Sequence, residues 1–194
     1  MEKIRTFIAI ELDENLKNCL TKLQEQLKGE APQGSVRWVR PEGIHLTLKF
    51  LGDVPANRIG EITQALQKSC QGFAPFFLSC SGLGCFPDLK HPNVVWVGVQ
   101  EETGTLAQLQ KAIEENLASL GYPAEKRQFS PHLTIGRVQK RVGASELRQL
   151  GELMGASERG VSGRMEVRSV SLMRSDLRPD GAVYTRLAEV ELEP

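Results

Sequence analysis

Two of the three histidines sit in nearly the same phrase: "GIHLTLKFLG" at 43–52 and "PHLTIGRV" at 131–138, with His45 and His132 separated by 132 − 45 = 87 residues. Imidazole has an ordinary pKa of about 6.5, so it can give or take a proton near neutrality, and two of them can act as an acid and a base. In each phrase a threonine, Thr47 or Thr134, follows two positions later with a hydroxyl that can donate to a developing anion.

Both phrases read as strands, along which side chains alternate. In the first, His45, Thr47 and Lys49 fall on one face, with Leu46, Leu48 and Phe50 on the other. In the second, His132 and Thr134 oppose Leu133 and Ile135. The aliphatic faces suit helices, which leaves the histidine–threonine faces for a cleft. A second histidine followed by Leu-Thr-aliphatic arises by chance on the order of once in several hundred tries. Duplication alone would not keep a polar pair among aliphatics.

The elements that position these residues follow from periodicity. "IRTFIAIEL" alternates at period two, and Asp13 caps a helix carrying Leu16, Leu20, Leu23 and Leu27 to near Gly29. "VRWV" and "IHLTLKFL" are strands around a "PEG" turn. A second helix runs from Pro55 to Cys70, followed by strand "FFLSCSGL", a Gly/Pro/Asp-rich loop and strand "VVWVGV". Leu106 to Leu120 mark a third helix closed by Gly121, "HLTIGRV" is a strand and "SELRQLGELM" a short helix. "MEVRSVSLMRSDL", the turn "RPDG" and "AVYTRLAEVEL" form a closing hairpin. Short hairpin connections dominate, so the fold class is α+β with mostly antiparallel sheet, built as a duplicated unit of two lobes in one domain over 1–194.

Composition narrows the function classes. Lys+Arg and Asp+Glu both total 24, so global charge advertises no nucleic-acid partner, though a local basic patch stays possible. Cys19, Cys70, Cys80 and Cys85 form no CxxC pair and no zinc-finger set, and Cys80, Cys85 and His91 do not read as metal ligands; neither metal nor cofactor is expected. The start "MEKIRTFIAIEL" goes from charge directly into a strand pattern, and no apolar run is long enough to span a bilayer. A cytoplasmic monomer with reduced thiols and no membrane partner is expected.

The paired H-x-T-h phrase, h being aliphatic, resembles the two-histidine (2H) phosphoesterase superfamily, and within it the RNA 2′,3′-cyclic phosphodiesterases, also called 2′–5′ RNA ligases. The likeness extends to "RTFIAIEL", "WVRPEGIHLTLKFLGDV", "FPDLKHPNVVWVGV", "FSPHLTIGRV" and "LMRSDLRPDGAVYTRLAEVEL", in order and spacing over nearly the whole chain. It implies two sheets facing a central cleft, helices outside, one His-x-Thr strand from each side, and RNA ends or nucleoside 2′,3′-cyclic phosphates as substrates.

The implied reaction is metal-independent hydrolysis of the cyclic phosphate to a 2′-phosphomonoester. A base deprotonates water and an acid protonates the departing ribose oxygen, in line across phosphorus, a geometry that suits histidines on facing walls. The residues leave open which histidine is which. Thr47 and Thr134 would bind the non-bridging oxygens. The family pattern also implies that Arg137 holds phosphate. Strict alternation would point it away from His132, unless Gly136 marks a bulge that re-aims it.

Phe7 resembles the family aromatic that stacks on a nucleobase, core packing being the alternative. Lys49 reads as a solvated strand-end lysine. Trp38 with Arg37 and Arg40 could line an RNA path, Tyr184 reads as structural and His91 as a surface residue. A 2′–5′ ligase running the chemistry backwards, an RNA-end-binding module without turnover, and a metal-dependent hydrolase remain as rivals.

Overall fold

The computed structural model describes residues 2–156, 163–179 and 181–194. The elements run β1 (Lys3–Glu11), α1 (Glu14–Glu30), β2 (Val36–Trp38), β3 (His45–Pro55), α2 (Ile59–Cys70), β4 (Phe76–Phe86), β5 (Val94–Gln100), α3 (Thr105–Ala118), β6 (His132–Val138), α4 (Ala144–Gly155), β7 (Arg164–Val167), β8 (Ser169–Arg178) and β9 (Gly181–Glu191). Asp13 caps α1 as expected, its carboxylate accepting from the Leu16 N–H at 2.8 Å. α2 begins later than expected, at Ile59, because residues to Pro55 continue β3 and a short 3₁₀ turn intervenes.

Two antiparallel half-sheets, β7-β4-β5-β6 and β3-β1-β8-β9, meet where β3 and β6 pair at Leu46 and Leu133. Beyond that point the two strands diverge, and β2 takes over the free edge of β6. The two halves repeat one register. Adding 87 to both members of Phe7–Phe50, Ile8–Lys49, Ala9–Thr47, Ile10–Leu46 and Glu11–His45 gives Val94–Arg137, Val95–Gly136, Trp96–Thr134, Val97–Leu133 and Gly98–His132. The duplication read from two short phrases therefore extends to the neighbouring strands.

The segment "MEVRSVSLMRSDL" is two strands rather than one. It breaks at Arg168, so that β7 pairs with β4 in one half while β8 pairs with β1 in the other. The β8–β9 hairpin closes between Arg178 and Gly181; Asp180 of its expected turn lies outside the described residues.

Leucines of α1 and α3 pack with Ile8, Ile10, Leu46, Leu48, Val95, Val97, Leu133 and Ile135 in one apolar cluster on the helix side of the sheets. Such burial is worth roughly 1.5–3 kcal/mol for each large aliphatic side chain. The opposite face of β1 carries a smaller cluster of Phe7, Ala9 and Met173, with Tyr184 packed against it. No helix among the described residues is long and apolar enough to cross a membrane.

Candidate active site

His45 and His132 open β3 and β6, each beside the single pair that joins the half-sheets. The Nδ1 of His45 lies 2.9 Å from the Gly43 carbonyl, and that of His132 lies 2.7 Å from the Ser130 carbonyl. A carbonyl only accepts, so each Nδ1 carries the hydrogen. That leaves both Nε2 atoms for proton transfer. The two anchors are also 130 − 43 = 87 residues apart, so the repeat includes the groups that fix the imidazole tautomers.

Register shifts place Leu48 and Ile135 as unpaired extra residues, equivalent bulges in the two copies, and the first copy has a further shift at Leu51. Each bulge reverses the alternation that precedes it. Past Ile135, Gly136 turns to the helix side and Arg137 to the cleft side, as expected from the glycine. An added Cβ on Gly136 would come 2.6 Å from a methyl of Val36 and 3.3 Å from the Trp38 ring, so only glycine lets β2 pack there. Arg137 is exposed and close enough to His45 to oppose its protonation.

The same bulge corrects the reading of Lys49 and Phe50. Past Leu48, Lys49 turns into the helix side, where its ammonium is buried against the Glu114 carboxylate of α3 and donates to the Pro123 carbonyl at 2.8 Å. Phe50 turns out of the core onto the cleft side and is 58% exposed. By the 87-residue offset it occupies the position that Arg137 holds in the second copy.

Both bulge carbonyls are held by glutamines from helices of the other half of the sequence. The Gln24 amide of α1 donates to Ile135 and to Val39, both at 2.8 Å. The Gln110 amide of α3 donates to Leu48 at 3.4 Å and to Glu114 at 3.1 Å. These residues carry no sequence signal, because a polar residue on a helix reads as solvated until its long-range partner is known.

The two histidines sit in different surroundings. The His45 ring stacks on Phe7, with centroids 4.6 Å apart, and meets the edge of Tyr184 at 4.8 Å. Burial pushes its pKa down to about 4, against the Gly43 hydrogen bond and the Glu11 carboxylate, which favour the proton; Arg137 opposes it further. Glu11 itself is held below the usual carboxylate range: burial raises it, but hydrogen bonds from Arg186 and Ser171 outweigh that. His132 stands against the edge of Phe86 at 4.8 Å, with Trp96 beyond at 6.4 Å. Trp96 lies flat over Gly84, where any added Cβ would sit 2.2 Å from the indole.

Thr47 and Thr134, half-buried, face the same side as their histidines, opposite Ala9 and Trp96. Phe7 departs from the expected role. It is 2% exposed, covered by His45, Tyr184 and Phe50, and offers no face to a base. The exposed ring beside it is Phe50, centroid 5.9 Å away. His91 lies on an exposed loop beside Asp88, 3.3 Å away.

The model of the LigT-like phosphoesterase family matches the chain twice, over residues 10–96 and 97–184. The chain belongs to that family. The two matches start 97 − 10 = 87 residues apart, the same offset as the histidines, their carbonyl anchors and their bulges. A curated relative from Methanothermobacter thermautotrophicus, named RNA 2′,3′-cyclic phosphodiesterase, is 38% identical over 94% of this chain and 96% of its own. One of the same name from Aquifex aeolicus is 31% identical over 99% of both. A solved structure from Thermus thermophilus aligns with a TM-score of 0.79 at 25% identity, covering 97% of this chain and 98% of that one.

Proposed function

We propose that this chain is an RNA 2′,3′-cyclic phosphodiesterase, with His45 as the base and His132 as the acid. The observation that carries the reading is the pair of imidazoles at equivalent positions of the two strands that join the half-sheets, each fixed through Nδ1 so that Nε2 is left for proton transfer. The names of the relatives support the substrate.

In this reading the cyclic phosphate lies between the histidines. Water attacks phosphorus from the His45 side and passes a proton to Nε2 of that ring, which burial keeps neutral at pH 7. The P–O3′ bond breaks on the opposite side, and the departing oxygen takes the proton from Nε2 of His132. The product is a 2′-phosphomonoester, and proton exchange with solvent restores both rings. Thr47, Thr134 and Arg137 donate to the non-bridging oxygens, where charge builds. Phe50 offers its exposed ring to the terminal nucleobase. The four free cysteines are consistent with a reducing, cytoplasmic setting.

The test is product identification after incubation with the four nucleoside 2′,3′-cyclic monophosphates and a short RNA ending in a cyclic phosphate. Nucleotides with a 2′-phosphate are expected from both. Binding without turnover, or a 3′-phosphate product, would overturn the proposal.

A further inference from the structure

β2 is a three-residue strand that breaks the repeat. It pairs with the edge of β6 at Val36–Val138, Arg37–Arg137 and Trp38–Gly136, whereas the offset positions 123–125 form no strand. Residues opposite each other in an antiparallel pair point to the same side. Val36 and Trp38 pack with Gly136 on the core side, so Arg37 and Arg137 stand together on the other. Both are exposed, and neither has a hydrogen-bond or ion-pair partner among the described residues.

Like charges directly opposite on paired strands repel. Arg164, Arg174 and Arg186, on β7, β8 and β9, each have an aromatic ring or a carboxylate beside them, whereas the exposed Arg5 and Arg178 stand singly, away from β6. Arg37 and Arg137 have only each other, at the end of β6 that follows the motif, with Arg137 within electrostatic reach of His45. The second copy has Ala124 at 37 + 87 = 124, so this cation has no counterpart across the repeat. A polyanion fits this pattern better than a single phosphate, because two guanidiniums side by side can take two successive phosphates.

We propose that Arg37 forms a second phosphate subsite, which binds the internucleotide phosphodiester on the 5′ side of the cyclic terminus. Arg137 takes the reacting phosphate and Arg37 the next one along the chain. The preferred substrate is thus an oligonucleotide end rather than a mononucleotide. The inference rests on the cyclic phosphodiesterase reading.

Steady-state kinetics of wild type, Arg37→Ala and Arg37→Lys on a nucleoside 2′,3′-cyclic phosphate and on a dinucleotide with the same terminus test this. Arg37→Ala should raise KM for the dinucleotide about tenfold, the loss of one charge-assisted contact, with the mononucleotide KM and both kcat values unchanged. The slope of log KM against log salt for the dinucleotide should fall by about 0.7, and Arg37→Lys should restore part of the affinity. Equal effects on both substrates, or none on either, would overturn the second subsite while leaving the cyclic phosphodiesterase reading intact. Absence of turnover by wild type on both substrates would remove that reading and this inference with it.

Discussion

The side-chain amide of Gln24 donates to the carbonyl of Ile135, joining α1 to the bulge of a strand 111 residues away. That bulge turns Arg137 toward the cleft, so a buried glutamine on one helix sets the direction of an arginine in the site. Gln24→Leu should keep the apolar packing and lose the clamp. The expected result is a rise in KM resembling that of Arg137→Ala, with the two changes far less than multiplicative together. Leu20→Ala, on the same helix, should lower stability by about 2–5 kcal/mol without moving KM. If Gln24→Leu leaves KM alone and only lowers stability, the clamp has no part in aiming Arg137.

Lys49 and Glu114 form a buried pair that ties the first bulge to α3. Lys49→Met alone strands a buried carboxylate and should cost about 3–5 kcal/mol by urea unfolding. Adding Glu114→Leu should recover much of that loss. Equal stability of the single and double variants would mean that the carboxylate reaches water once its partner is gone.

The low pKa of His45 makes stability depend on pH. Its folded value of about 4 lies below the ordinary 6.5, so the unfolded chain binds the proton more readily between those values. Stability is therefore fullest above pH 6.5 and declines as pH falls toward 4. This one group should cost about 2 kcal/mol by pH 5, a contribution absent from His45→Gln. Urea unfolding of both proteins at pH 7 and pH 5 reads the difference directly, and identical slopes would contradict the burial argument.

Phe50 should matter for substrate rather than for fold. It is exposed, and its outward turn leaves the ring free on one side. Phe50→Ala should raise KM by about 5- to 100-fold, as loss of one stacked base does, with stability within about 0.5 kcal/mol of wild type. An unchanged KM on every substrate would return Phe50 to an ordinary surface residue.

These predictions divide along a line in the sequence. The repeat, the four motif residues and the alternating faces could be read directly, because period two is a local property of the chain. What lies past each bulge could be read only once. Gly136 announced the turn of Arg137, but Lys49 fills the same position in the first copy, and "HLTLKFLG" alternates without a break. Strict parity therefore put Phe50 in the core and Lys49 in solvent, the reverse of where the bulge sends them. Gln24, Gln110 and Glu114 were silent because the strand residues they hold at the bulges lie 62 or more positions away. The division of "MEVRSVSLMRSDL" between two half-sheets was equally silent, since both pieces have strand periodicity.

The measurement that bears most directly on the two-histidine account compares His45→Ala and His132→Ala on substrates with poor and good leaving groups. On RNA ending in a 2′,3′-cyclic phosphate, each variant should lose about 10²-fold or more in kcat while remaining folded. On a nucleotide 4-nitrophenyl phosphodiester, whose leaving group needs no proton, His132→Ala should regain most of the wild-type rate and His45→Ala should not. Rescue of His45→Ala instead, or turnover of the cyclic phosphate near the wild-type rate by either variant, would contradict His45 as base and His132 as acid.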